Sequence, residues 1–87
     1  MSITVAEFLR LLPLAAPAGL VSSDETGALI VAGTQRIQIT LTQQSDKFFA
    51  ALKLPQLEVR LDFHQHSSAE TSAFIAHFER IYQRGGG

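Results

Sequence analysis

Residues 57–63 read Leu-Glu-Val-Arg-Leu-Asp-Phe, and this strict alternation of apolar and charged residues decides the fold. Successive side chains of a β-strand point to opposite faces, so the apolar residues share one face and the charged residues share the other. Residues 36–42 alternate in the same way, with Ile37, Ile39 and Leu41 on one face. We therefore predict two half-buried strands, at 36–42 and at 57–63.

The segment before these strands has the pattern of a hairpin. Two apolar runs, at 19–23 and 28–32, flank the polar tetrapeptide Asp24-Glu25-Thr26-Gly27. A short polar segment that ends in glycine between two apolar runs is typical of a hairpin turn. The first three predicted strands therefore form an antiparallel meander.

A helix is predicted near each end of the sequence. Thr4 and Glu7 form a capping box before apolar residues at helical spacing, and Pro13 is expected to stop this helix, which gives it the range 5–12. Ser67 and Glu70 form a second capping box, which opens a longer helix with one apolar stripe. That stripe consists of Phe74, Ile75, Phe78, Ile81 and Tyr82.

Residues 45–54 leave two alternatives open. Ser45 could cap a helix of barely two turns over residues 46–52. The same stretch could equally be a loop whose phenylalanines, Phe48 and Phe49, reach the core. In either case Pro55 is expected to end the segment.

These elements predict the α+β class, with a three- to four-stranded, mostly antiparallel sheet. A short N-terminal helix precedes the sheet, and the longer C-terminal helix packs on one face of it. The sequence has 87 residues, enough for one hydrophobic core. We expect residues 1–84 to form a single domain and residues 85–87 to be a flexible glycine tail.

Composition argues against several kinds of partner. The net charge is −1, and the seven lysine and arginine residues are scattered along the chain. No basic cluster is present that could neutralise a row of phosphates or bind an anionic membrane, so we expect neither nucleic acid nor membrane as a partner. The absence of cysteine excludes thiolate chemistry, and no cofactor is predicted.

The cytoplasm is the expected location. No segment approaches the roughly 20 apolar residues that are needed to span a bilayer. Residues 11–19 are apolar, but Glu7, Arg10 and Pro13 do not fit a secretory signal.

One constellation, at the end of the strand at 57–63, suggests a metal site. If that strand continues, alternation places Asp62, His64 and His66 on one face, where two imidazoles could share a metal ion. The alternative is a polar connector between strand and helix. A site usually needs three or four protein ligands, and His77 lies three helical turns away, so we predict no metal site.

Catalysis has no specific support in the sequence. None of the serines lies in a nucleophile elbow, and Ser67 is better explained as a helix cap. Asp24 and Glu25 lie in a predicted turn, which favours acidic residues for structural reasons. The sequence therefore favours a non-enzymatic function, and no catalytic residue is assigned.

The segment with adjacent phenylalanines is the candidate interaction surface. One of two adjacent aromatic residues usually points away from the core, so Phe48 or Phe49, together with Leu52, could contact a partner; alternatively both rings fill the bare sheet face. The sheet edges at 19–23 and 57–63 could also pair with another chain. We predict a protein-association module, either a homodimer or an adaptor. The alternative is a small-ligand or metal-binding domain that uses Asp62, His64 and His66.

Overall fold

The structure is a computed structural model that describes residues 1–16 and 19–85. Within these residues the chain forms two helices and four strands. In chain order they are α1 (Val5–Ala15), β1 (Leu20–Asp24), β2 (Gly27–Ala32), β3 (Gln35–Phe49), β4 (Leu52–His64) and α2 (Ser68–Gly85). The strands form one antiparallel sheet in the order β1-β2-β3-β4, which confirms the predicted α+β class with four strands.

The register of the sheet places the predicted apolar residues together. Ile37 of β3 lies opposite Phe63 of β4, and Ile39 lies opposite Leu61. Since residues directly opposite each other share a face, the inward stripes of the two strands form one apolar surface. β1 and β4 are the edge strands, as the sequence predicted for 19–23 and 57–63.

Gly27 has a specific steric role where β1 turns into β2. A Cβ atom at this position would lie 2.0 Å from the carbonyl oxygen of Ile39, so no larger residue fits beside β3. The turn before it is held by Asp24, whose Oδ1 accepts hydrogen bonds from the Thr26 and Gly27 amides at 2.7 and 3.1 Å. These roles of Asp24 and Gly27 explain why the polar tetrapeptide at 24–27 predicted a hairpin turn.

Both helices pack on the same face of the sheet. Their buried side chains belong to one cluster with the inward side chains of β2, β3 and β4. Phe8 and Leu12 of α1 are fully buried at its centre. On the opposite face Gln38 and Thr40 are exposed, so neither α1 nor α2 covers that face.

The two helices are joined through a set of aromatic rings in contact with one another. Tyr82 of α2 stacks on Phe8 of α1, with ring centroids 4.7 Å apart and planes within 10° of parallel. The Tyr82 hydroxyl donates a hydrogen bond of 2.8 Å to the Phe8 carbonyl oxygen. Burial raises the pKa of the Tyr82 phenol, so this hydroxyl stays protonated and continues to donate. Phe78 and Phe74 extend the set toward Phe63 of β4.

The prediction that Pro13 ends the first helix is wrong. α1 continues to Ala15, and the Ala16 amide donates to the Leu12 carbonyl oxygen at 2.9 Å. Pro13 is exposed and lies two residues before the end of the helix, so the backbone donor that it lacks is missing only from the last turn. Burial of Ala15 and Ala16, which are 2% and 4% exposed, continues the helix past it.

Both alternatives for residues 45–54 are also wrong. β3 continues into this segment as far as Phe49, and β4 begins at Leu52. The register shifts between Gln44 and Lys47, which is a β-bulge that interrupts the alternation of side chains. Pro55 lies within β4 opposite this bulge, where no ladder hydrogen bond is required of its nitrogen.

Of the two predicted capping boxes, the second is complete. The Glu70 amide donates to Ser67 Oγ at 3.1 Å, and the Ser67 amide donates to Glu70 Oε1 at 3.0 Å. At α1 the Glu7 amide donates to Thr4 Oγ1, but the Glu7 carboxylate binds Arg10 instead. α2 extends to Gly85, whereas Gly86 and Gly87 of the predicted tail lie outside the described residues.

We expect Tyr82→Phe to lower the free energy of unfolding by about 1 kcal/mol, because it removes one buried hydrogen bond and keeps the stacked ring. Tyr82→Ala should lower it by about 3–5 kcal/mol, because the ring is lost as well. Urea denaturation monitored by circular dichroism measures both values. Equal losses for the two variants would contradict the assignment of separate roles to ring and hydroxyl.

We also expect the second capping box to make stability depend on pH. The amide of Ser67, the side chain of Gln35 and the hydroxyl of Ser67 hold the pKa of Glu70 below its usual value. A carboxyl whose pKa is lowered by folding adds stability above its unfolded pKa, and that stability is lost as pH falls through the folded pKa.

Urea midpoints measured from neutral to acidic pH should therefore fall more for the wild type than for Glu70→Gln. Glu79→Gln, at an exposed position on the same helix, is the control and should follow the wild type. Parallel curves for the wild type and Glu70→Gln would contradict the prediction.

Candidate functional site

The distal half of the β3–β4 hairpin extends beyond the rest of the sheet. β2 pairs with β3 only as far as Thr40, and one more backbone bond joins Leu41 to Thr26. Residues 42–56 therefore form a two-stranded ribbon, which we call the hairpin arm. The chain is correspondingly elongated, with extents of 47 × 23 × 18 Å along its principal axes.

The base of the hairpin arm is held by the first residue of the chain. The Met1 amino group donates to the Leu57 carbonyl oxygen at 2.8 Å, and the Leu57 amide donates back to Met1 at 2.7 Å. Gln56 Nε2 also donates to Ser2 Oγ at 2.9 Å. Met1 thus covers the edge of β4 at the point where the arm begins.

The tip of the arm carries two exposed apolar side chains. Phe48 is 70% exposed and Leu52 is 60% exposed. Phe48 lies opposite Lys53 in the ladder, and Phe49 lies opposite Leu52. Because opposite residues share a face and neighbours along a strand alternate, Phe48 and Leu52 lie on opposite faces of the arm.

Within the arm, one ion pair joins the two strands. Lys53 Nζ lies 3.3 Å from Asp46 Oδ2, with both side chains partly exposed. Such an exposed pair contributes about 0–1 kcal/mol, so the arm depends mainly on its backbone ladder. The turn at its tip also contains Ala50 with a φ of 55°, a left-handed conformation that alanine adopts at a cost of about 1–2 kcal/mol.

Of the predicted interaction residues, Phe48 and Leu52 both lie at the arm tip, on its opposite faces. The alternative in which the phenylalanines fill the bare sheet face does not apply to Phe48, which stays exposed. The side chain of Phe49 lies outside the described residues. The sequence pattern did not indicate that the segment is a two-stranded ribbon, or that Phe48 and Leu52 lie on different faces of it.

The cluster of Asp62, His64 and His66 at the end of β4 does not form on one face, as the alternation of side chains had suggested. β4 ends at His64, and Gln65 has a φ of 64°, which turns the chain away from the strand direction. His66 Nδ1 then bonds to the His64 carbonyl oxygen at 2.8 Å, and its ring packs edge-on against Phe63 at 5.3 Å. The ring therefore lies against a residue of the apolar stripe, apart from the face of Asp62 and His64.

Asp62 has a different partner in the structure. Arg60 Nε lies 3.3 Å from Asp62 Oδ2 on the exposed face, which is the i, i+2 pair that the alternation implied. Among residues 1–16 and 19–85 there is no group of three or more histidines and acids that could hold a metal ion. Ser67, a residue considered for hydrolysis, is occupied as the cap of α2.

Comparison with protein-family models, with curated proteins and with solved structures finds no match to this chain. In the part of the chain that the structure describes, neither helix combines the length and the apolar character needed to cross a membrane.

We expect the hairpin arm to open more readily than the rest of the sheet, because a two-stranded ribbon without a covered face is only marginally stable. Exchange of the backbone amide hydrogens of the intact protein, labelled at low concentration and located on its proteolytic peptides, should be faster in residues 43–56 than in residues 36–41. Equal exchange in the two segments would contradict this view of the arm.

Proposed function

We propose that this chain is a non-enzymatic protein-association module, a homodimer or an adaptor, and that the hairpin arm is its association surface. The observation that carries the proposal is the pair of exposed apolar side chains at the tip, Phe48 and Leu52. Large apolar side chains that are mostly exposed favour association, because a partner can remove them from water.

The free energy gained by burying these two side chains is large enough to affect binding. Full burial of one phenylalanine or leucine side chain is worth about 1.5–3 kcal/mol. Phe48 and Leu52 are already partly covered, so the two together would contribute about 2–4 kcal/mol. Since each 1.4 kcal/mol changes a dissociation constant about tenfold, these two residues alone could change it by one to three orders of magnitude.

The arrangement of the two residues favours a partner that encloses the arm. Because Phe48 and Leu52 lie on opposite faces, a flat partner surface would cover only one of them. A partner that contacts both faces, or two arms that clasp each other, would cover both. Association would also protect the backbone of a ribbon that is marginally stable alone.

The electrostatics of the arm are compatible with a protein partner. Asp46 already pairs with Lys53, so the segment carries no block of like charge that would oppose contact with another chain. We place the module in the cytoplasm, in line with the sequence analysis.

Light scattering over a wide range of protein concentration tests self-association. The mass of the wild type should rise with concentration, and the variant with Phe48→Gln and Leu52→Gln should need at least tenfold higher concentration for the same mass. Leu14→Gln is the matched control, because Leu14 is 59% exposed on α1 and far from the arm in the chain.

Native mass spectrometry of the protein purified gently from its own host tests the adaptor form. A complex with another protein should appear for the wild type and for Leu14→Gln, and it should be lost for the arm variant. The proposal is wrong if the chain is a monomer in both measurements, or if its complexes do not respond to the arm substitutions.

A further inference from the structure

A concave surface lies on the helical side of the sheet, away from the hairpin arm. The end of α1, the start of β3 and the middle of α2 surround a pocket of about 410 Å³. This volume lies in the range of small-molecule sites, about 300–1,000 Å³. Four of the residues that line it have the small side chain of alanine: Ala15, Ala16, Ala32 and Ala73.

The walls of the pocket are mostly apolar, with Phe74 and two isoleucines of the sheet among them. Two histidines, His66 and His77, also line it. They come from different elements, since His66 precedes α2 and His77 lies within it. Few polar groups in an otherwise apolar pocket are the usual means of orienting a ligand.

Backbone hydrogen bonds fix one nitrogen of each imidazole. His77 Nε2 lies 3.2 Å from the Leu14 carbonyl oxygen, and His66 Nδ1 lies 2.8 Å from the His64 carbonyl oxygen. A carbonyl oxygen can only accept, so the bonded nitrogen of each ring carries the proton. In the neutral rings the remaining nitrogens, His77 Nδ1 and His66 Nε2, are hydrogen-bond acceptors.

We propose that this pocket binds a small molecule with a flat apolar body and one N–H or O–H donor, which bonds to His66 or His77. The apolar walls, which include the ring of Phe74 and two isoleucines, match the body of such a ligand. The accepting nitrogens, His77 Nδ1 and His66 Nε2, match its donor. A metal ion fits less well, because metal sites usually need three or four protein ligands and the described residues supply two histidines here.

Indole and N-methylindole are a matched pair of probes, since they share a ring system and differ in the N–H donor. Titration in mildly alkaline buffer, followed by NMR, should shift the signals of Ala15, Ala73 and both histidines. Indole should bind about three- to tenfold more tightly than N-methylindole, the effect of one net hydrogen bond.

Ala73→Phe should fill the pocket and reduce indole affinity at least tenfold. Ala73 is exposed at its helix surface, so the variant is expected to fold. Ala76→Phe, the same substitution at an exposed position of α2 outside the pocket, is the control and should bind as the wild type does. The inference is overturned if neither probe shifts the pocket signals, if both bind equally, or if Ala73→Phe binds as tightly as Ala76→Phe.

Discussion

The contact between Tyr82 and Phe8 is the interaction on which the rest of the structure depends. It joins the last turns of α2 to the start of α1 across 74 positions of sequence, by a stacked ring pair and a buried hydrogen bond. The Phe8–Phe78 ring pair and the contact between His77 and the Leu14 carbonyl oxygen also join the two helices, and with them this contact holds the apolar sides of α1 and α2 over the sheet. The Phe8 ring is also fully buried, so the same contact closes the centre of the core.

Much of the fold could be predicted from the sequence because it follows from local periodicity. Alternation over 36–42 and 57–63 located two strands, and the pair Ser67 and Glu70 located the start of α2, since each signal depends only on neighbouring residues. What the sequence could not predict depends on tertiary context. The continuation of α1 past Pro13 follows from burial of Ala15, which is known only once the sheet is in place.

In the candidate site, too, local sequence predicted some features and tertiary context determined the others. The sequence identified Phe48 and Leu52 as apolar residues in a segment of uncertain structure, but the strands there carry no alternating signal. Neither α1 nor α2 covers the arm, so neither helix selects an apolar face in it, and the bulge between Gln44 and Lys47 shifts the register of the alternating side chains. At the other end of β4, a single residue with positive φ, Gln65, turned His66 away from Asp62. Such a turn has no clear sequence signal when the residue is not glycine or asparagine.

The difference in length between helices and strands explains why the arm extends beyond the helices. α1 has 11 residues and is about 16 Å long, whereas the 15 residues of β3 extend over about 45 Å. Even α2, with 18 residues and a length of about 27 Å, cannot cover such a strand from end to end. The helices therefore cover the proximal half of the sheet, where Ala15 and Ala73 leave a pocket beside them. The distal half stays uncovered as the arm, so a binding partner at the tip and a ligand in the pocket would occupy separate ends of one sheet.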